Sequence, residues 1–146
     1  MQIVAANLLD LNALHTMEKA CFPQDAWPLF DLIAVLSFAG VVRLKAVENH
    51  QMVGFIAGDP RPQDDLSWVA TLSVLPEHRG KGIARALLET CEAQLSTERV
   101  RLCVRQSNGE AMRLYTNAGY RLVDRWRSYY NGGEDAVVME KVRPHV

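Results

Sequence analysis

Arg79-Gly80-Lys81-Gly82-Ile83-Ala84 stands between a strand-like run, Leu66 to Leu75, closed by Pro76, and a helix-like one from about Gly82 to Leu95. In the helix, Ile83, Leu87, Cys91 and Leu95 recur every four residues with Ala84 and Leu88 alongside, an amphipathic core stripe. Two glycines at such a junction let the backbone turn tightly and leave its N–H groups unshielded by side chains. Those groups then lie at a helix N-terminus, where the macrodipole favours negative charge, and Arg79, Lys81 and Arg85 add positive charge around them. A diphosphate suits such a place. The pattern is not the nucleotide P-loop, because Ile83 follows Gly82 where Lys and then Ser or Thr would be needed. It is not the dinucleotide fingerprint either, because Arg85 stands at the third glycine. A plain strand-to-helix turn, with glycines for steric reasons, accounts equally for this stretch taken alone.

Downstream, Val100 to Arg105 reads as a strand, so strand–helix–strand from Val69 to Val104 implies one right-handed parallel crossover. Ser107-Asn108-Gly109-Glu110 follows the pattern of a capping box. It opens a helix whose inner face is Ala111, Leu114, Tyr115 and Ala118, with Gly119 at the left-handed stop. Tyr115 lies two helical turns after Asn108, so the two point to nearly the same side. Strands at Tyr120 to Tyr129 and Asp135 to Val142 flank a turn at Asn131-Gly132-Gly133. Upstream, Ile3 to Ala5 suits a short strand. Leu8 to Cys21 suits a helix ended by Phe22-Pro23. A second helix runs from near Trp27-Pro28 to Gly40. Val41 to Glu48 and Met52 to Ala57 read as strands joined by Asn49-His50-Gln51, followed by a polar loop from Asp59 to Asp65. The fold class is α/β with a mixed, mainly antiparallel sheet of about six or seven strands and about four helices. With no repeat or linker, residues 1–146 are expected to form a single domain.

The chain has 146 residues, enough for one core without staples, and 49% apolar and 23% charged residues place it among folded globular chains. A formal net charge of −1 argues against a non-specific nucleic-acid binder. The longest apolar stretch, Leu32 to Val42 interrupted by Ser37, falls short of the ~20 residues of a membrane-spanning helix. Met1-Gln2-Ile3-Val4 lacks the basic-then-apolar layout of a signal peptide, so a cytoplasmic location is expected. Cys21, Cys91 and Cys103 are odd in number and without C-x-x-C spacing, and His15, His50, His78 and His145 are scattered. Neither a disulfide framework nor a metal set is expected.

Arg79-x-x-Gly82-x-Ala84 resembles the arginine/glutamine-x-x-glycine-x-glycine/alanine signature of the GCN5-related N-acetyltransferases, the GNAT superfamily. Arg105-x-Ser107-Asn108-x-x-Ala111-x-x-Leu114-Tyr115-x-x-x-Gly119-Tyr120 is similar to the second half of that site. The tail Tyr129-Tyr130, Glu134-Asp135-Ala136 and Met139, with Glu18-x-x-Cys21-Phe22-Pro23 and Trp27 near the start, resembles the narrower RimI-type N-alpha-acetyltransferases. The resemblance implies a single GNAT fold with a V-shaped gap between two central parallel strands. In it acetyl-CoA would lie along Leu72, Ser73 and Val74. Arg79, Gly80, Lys81, Gly82, Ile83, Ala84 and Arg85 would hold the pyrophosphate, Asn108 would bond the pantetheine region, and Tyr115 would be the general acid. The amine would attack the thioester directly, with no metal. A phenol can serve as acid because its reference pKa of about 10 keeps it protonated at neutral pH, although a core tyrosine sharing a face with Leu114 and Ala118 has the same spacing.

The chain departs from the family at Cys103, where RimI-type enzymes commonly carry a glutamate as general base. A thiol of reference pKa about 8.5 is a poor replacement, so Cys103 is read as a buried structural residue. At pH 7 an α-amine is about one-seventh neutral and a lysine about 0.04%, so an α-amine manages best without a base. Glu77, His78, Asp64, Asp65 or Glu134 could act through water. Trp68, Tyr129 and Tyr130, with Phe22, Pro23 and Trp27, are candidate walls for the acceptor, or else rim packing. Arg121, Arg125 and Arg127 alternate along a strand and are expected on one solvated face. The reading is thus an acetyl-CoA-dependent N-acetyltransferase acting on a protein or peptide N-terminus. A small amine such as a polyamine is the alternative acceptor, and a silent acyl-CoA-binding module the alternative role. Nucleic acid and membrane are not expected as partners, and a monomer or weak homodimer is.

Overall fold

The computed structural model describes residues 1–144, so His145 and the end of the expected 1–146 domain lie outside the described residues. Seven strands form one sheet in the order β1-β2-β3-β4-β5-β7-β6, accompanied by four α-helices among the described residues. These are β1 (Gln2–Ala5), α1 (Leu11–Cys21), α2 (Leu29–Ser37), β2 (Val42–Glu48), β3 (Gln51–Arg61), β4 (Leu66–Val74), α3 (Ile83–Gln94), β5 (Arg99–Arg105), α4 (Gly109–Asn117), β6 (Arg121–Trp126) and β7 (Ala136–Val142). Strand pairing is antiparallel for β1 with β2, β2 with β3, and β7 with both β5 and β6. β4 and β5, the parallel pair, meet over Leu66↔Arg99, Ser67↔Val100 and Trp68↔Arg101. No helix among the described residues is long and apolar enough to cross a membrane.

The chain divides into two compact units. The first comprises Met1–Asp59 and Ala70–Leu95. Its core gathers Leu14 and Met17 of α1 and Leu32, Val35 and Leu36 of α2 against Phe55 and Ala57 of β3. Elsewhere on β3, α3 comes close at glycines: a Cβ at Gly54 would stand 2.9 Å from Leu87 Cδ1, and one at Gly58 2.9 Å from Cys91 Sγ. The amphipathic stripe read in the sequence is therefore real, since Ile83, Leu87, Cys91 and Leu95 are all buried. The second unit comprises Pro60–Val69 and the chain from Ser96 on. In it Leu102 and Val104 pair across from Met139 and Val137, and all four are buried on one face. The other face carries Arg101, Cys103 and Arg105 opposite Glu140, Val138 and Ala136.

Several expected boundaries move. The first turn of the helix from Leu8 is 3-10, capped by Asn7, whose Oδ1 accepts from Leu9 N–H at 2.9 Å. α2 ends at Ser37 and not at Gly40. The β2–β3 hairpin turns on Asn49 and His50 alone, both at positive φ, and Gln51 already pairs with Glu48. β3 runs on to Arg61 through Pro60, where a loop was expected. The last β2 rung is Val42↔Gly58, so Pro60 lies past the β2 pairing and its missing N–H breaks no bond to that strand. β6 stops at Trp126, which leaves Tyr129 in a loop. A bulge between Leu122 and Asp124 also overturns the single arginine face. Arg121 pairs with Glu140 but Arg125 with Val137, so the two point to opposite faces, and Arg127 is outside the strand.

Candidate active site

In the first unit, Gly80 and Gly82 have φ of +78° and +82°, the left-handed region that a side chain disfavours. Nothing lies within 4 Å of a Cβ built on either, so the backbone angle, and not crowding, calls for glycine. Gly82 is the N-cap of α3, and no side chain caps this helix. The first N–H groups of Ile83 and Ala84 therefore lack an intrahelical or capping side-chain partner among the described residues, which suits an anion. The three expected cations differ in freedom. Arg79 Nε donates to Val74 O at 3.1 Å, and Arg85 pairs with Glu89 at 2.7 Å, while Lys81 is exposed on the turn itself. At the end of β4, Leu72 is half-buried and Ser73 and Val74 are buried. The Val74 carbonyl also accepts from Cys21 Sγ at 3.3 Å.

The loop after α1 is held from below. Glu18 is fully buried, with Oε2 accepting from Thr71 Oγ1 at 3.2 Å, Oε1 without a hydrogen-bond partner among the described residues, and the Trp27 backbone N–H acting on the carboxyl as a second lowering influence. Burial pushes its pKa above the ordinary carboxylate value, against the lowering effect of those two groups. Trp27 lines a cleft of 430 Å³ together with Asp25, Asp31, Phe38, Val41 and Asp59. Phe22 is half-buried on the same loop.

In the second unit, Tyr115 sits in α4 with its ring 8% exposed and edge-on to Tyr120 at 5.9 Å. Burial pushes its phenol up to about 12, so it is protonated throughout the physiological range. No protein group hydrogen-bonds its hydroxyl among the described residues. Asn108, and not Ser107, is the N-cap of α4: its Oδ1 accepts from Ala111 N–H at 3.1 Å. Its carboxamide NH₂ remains a donor on an exposed side chain. Ser107 cannot close the expected capping box because its N–H is engaged by Glu134 Oε2 at 2.6 Å. Cys103 is half-buried and not fully buried, and burial raises its thiol to about 11.

Trp68, Tyr129 and Tyr130 do come together, linked by a residue the sequence reading missed. Trp126 stands 5.9 Å from Trp68 and 5.2 Å from Tyr129, and Tyr129 5.0 Å from Tyr130, ring centre to ring centre. Trp126 is on the same sheet face as Cys103 by register, since both pair into the Ala136–Val138–Glu140 side of β7. Its only sequence signal was an aromatic at the end of a strand of mixed polarity.

The carboxylates beside this face are already engaged. Glu140 accepts from Arg101 at 2.6 Å with Arg99 3.9 Å away. Glu134 accepts from Arg105 Nη1 at 2.8 Å and from Ser107 N–H at 2.6 Å, and hydrogen bonding by Ser107 first, then by Arg105, lowers its pKa to about 2. Both Glu134 oxygens are thus already hydrogen-bonded within the protein, and the lowered pKa makes it a weak base. Asp65 is taken by Glu98 N–H at 2.8 Å. His78 Nδ1 lies 3.2 Å from Glu48 Oε2, and Glu77 and Asp64 are exposed.

A family model described as the acetyltransferase (GNAT) family matches residues 11–120. The chain is 30% identical over 143 residues, 93% of it and 74% of the other chain, to the catalytic subunit NAA10 of the N-terminal acetyltransferase A complex of Arabidopsis thaliana. It is 28% identical over 152 residues to an N-alpha-acetyltransferase of Saccharolobus solfataricus, covering 93% of this chain and 89% of the other. Among solved structures it is similar in fold to the ribosomal-protein-S18-alanine N-acetyltransferase from Escherichia coli. The TM-score is 0.88 at 24% identity, covering 99% of this chain and 95% of the other.

Proposed function

The chain belongs to the acetyltransferase (GNAT) family and is an N-acetyltransferase, and from that premise we propose that it moves the acetyl group of acetyl-CoA to the N-terminal α-amine of a protein or peptide. The observation that carries the acceptor is Cys103. Where a carboxylate base would stand there is a thiol held at about 11, and Glu134 and Glu140 nearby are tied into ion pairs. In this reading the acceptor brings its own lone pair. An α-amine does so in about one molecule in seven at pH 7, a lysine or polyamine amine in fewer than one in a thousand.

In this reading acetyl-CoA is the second substrate. The uncapped N-terminus of α3 with Gly80, Lys81 and Gly82 takes its diphosphate, supported by Arg79, Ile83, Ala84 and Arg85. Leu72, Ser73 and Val74 take the pantetheine arm, and the free NH₂ of Asn108 donates to it. The C–N bond forms, the C–S bond breaks with its electron pair leaving on sulfur, and the proton shed by the amine nitrogen is passed on through water, so that the thiolate ends as the CoA thiol. Tyr115 meets that charge with its O–H. A phenol at about 12 is roughly three orders of magnitude weaker as an acid than a free thiol, so its contribution is chiefly a hydrogen bond strengthening as charge builds on sulfur. The aromatic row Trp68–Trp126–Tyr129–Tyr130, with Phe22 and Trp27, receives the peptide. The whole chain acts as one acetyltransferase domain, in the cytoplasm, as a monomer or weak homodimer.

The test is CoA release by the purified protein with acetyl-CoA and either peptides with free N-termini, the same peptides N-acetylated but bearing lysine, or spermidine. Turnover is expected only with the first group. Preference for spermidine or a free amino acid would transfer the reading to a small-amine enzyme.

A further inference from the structure

The connection from β6 to β7, residues 127–135, carries Tyr129 and Tyr130 yet lies outside the strands on either side of it. Ser128, Gly132 and Gly133 along it have positive φ, so its path is irregular. Its order comes from one cluster. Asp135 Oδ1 accepts from Ser128 N–H at 2.9 Å and fixes the start. Tyr130 N–H donates to Glu134 O at 3.1 Å, and Gly133 N–H to Tyr130 O at 3.0 Å. The Glu134 carboxylate then reaches out of the loop with both oxygens, one to Arg105 Nη1 on β5 and the other to Ser107 N–H before α4. Arg105 completes the knot: Nη2 donates to Asn131 O at 3.3 Å, and the guanidinium sits 4.7 Å from the centre of the Tyr130 ring.

We propose that Glu134 and Arg105 are positioning residues that hold the Tyr129–Tyr130 loop and the Ser107–Asn108 turn in one register, and so set the affinity for the acceptor. The proposal rests on the reading of Tyr129 and Tyr130 as acceptor wall. Glu134 suits the task for three reasons. Its two oxygens face two different elements, so one side chain couples them. A carboxylate bonded to Nη1, the Asn131 carbonyl on Nη2 and a tyrosine ring at 4.7 Å together restrain the Arg105 guanidinium. Finally, its proton is lost well below the working range: the pKa lies below that of an ordinary carboxylate, so the contact is complete above about pH 5 and would weaken only as pH falls toward 2. The knot is therefore constant under assay conditions, unlike a base.

The experiment compares the intact protein with Glu134→Gln, Arg105→Lys and the double variant. Glu134→Gln is expected to raise KM for an N-terminal peptide about tenfold, change kcat by less than about twofold, and leave the midpoint of the pH–rate curve unmoved. The double variant is expected to be no worse than the worse single one, because the two side chains act as a unit. An unchanged KM overturns the proposal. So does a fall in kcat with a shifted pH midpoint, the signature of a base. Amide hydrogen exchange gives a readout independent of the acceptor: Tyr130 and Gly133 N–H are expected to exchange faster in Glu134→Gln. Unchanged exchange also overturns the proposal, whatever the enzyme acetylates. Faster exchange in a protein that ignores every peptide would retire the acceptor reading and leave the knot in place.

Discussion

Tyr115 and Cys103 make opposite demands on proton chemistry, and burial answers both in the same direction. The phenol is raised to about 12 and the thiol to about 11, so both are neutral at every pH at which the enzyme would be assayed. For Tyr115 this preserves the donor; Tyr115→Phe is expected to lower kcat about 10²-fold with acetyl-CoA affinity unchanged, read by steady-state kinetics and calorimetry. For Cys103 it removes any base, so the rate should climb with pH along the acceptor's own ionisation, near 7.8, with no further inflection between pH 5 and 9. Cys103→Glu would supply a carboxylate and move that midpoint downward. Because about one amine in seven is already neutral at pH 7, its gain there is capped at about sevenfold. The same two groups set a stability trend. The folded chain holds protons that the unfolded chain releases above about pH 8.5 to 10, so stability falls as pH rises through that window, and thermal melts at pH 7 and 10 would register it.

At the scale of elements, the glycine turn before α3 was legible because its chemistry is local. Spacing alone specified a strand, two glycines and an amphipathic helix, and the structure has them there. Gly82→Ala is expected to cost about 1 to 2 kcal/mol of backbone strain at φ +82° and to weaken acetyl-CoA binding about tenfold. Gly58→Ala would instead force a Cβ to 2.9 Å from Cys91 Sγ. It should cost about 1 to 3 kcal/mol and lower the melting temperature by several degrees while sparing the KM for acetyl-CoA. What the sequence withheld at this scale was decided at long range. Ser107 and Asn108 are both good caps on paper, and Glu134, 27 residues on, takes the Ser107 N–H and leaves the capping to Asn108. The bulge in β6 that separates Arg121 from Arg125 has no local signature, and Pro60 reads as loop until the extent of β2 is known. Trp126 joined the aromatic row only once the register of β6 against β7 was in hand.

For the whole molecule, motif and composition carried different amounts. A nearly neutral chain of 146 residues with scattered histidines and three cysteines without C-x-x-C spacing suggested what the protein is not. The paired signatures around Gly82 and Asn108–Tyr115 pointed to the family, and the matching family model spans both. The acceptor is the part that no motif decides, because it depends on a missing group: a carboxylate absent at position 103 and its neighbours bound into ion pairs. The most direct test is therefore one reaction with acetyl-CoA and a peptide bearing both a free N-terminus and an internal lysine, at pH 7, with the acetyl group located by mass spectrometry. The account predicts acetylation at the N-terminal nitrogen, with the lysine unmodified until pH is raised well above 9. Acetyl-lysine at pH 7 on a peptide with an intact α-amine would contradict it.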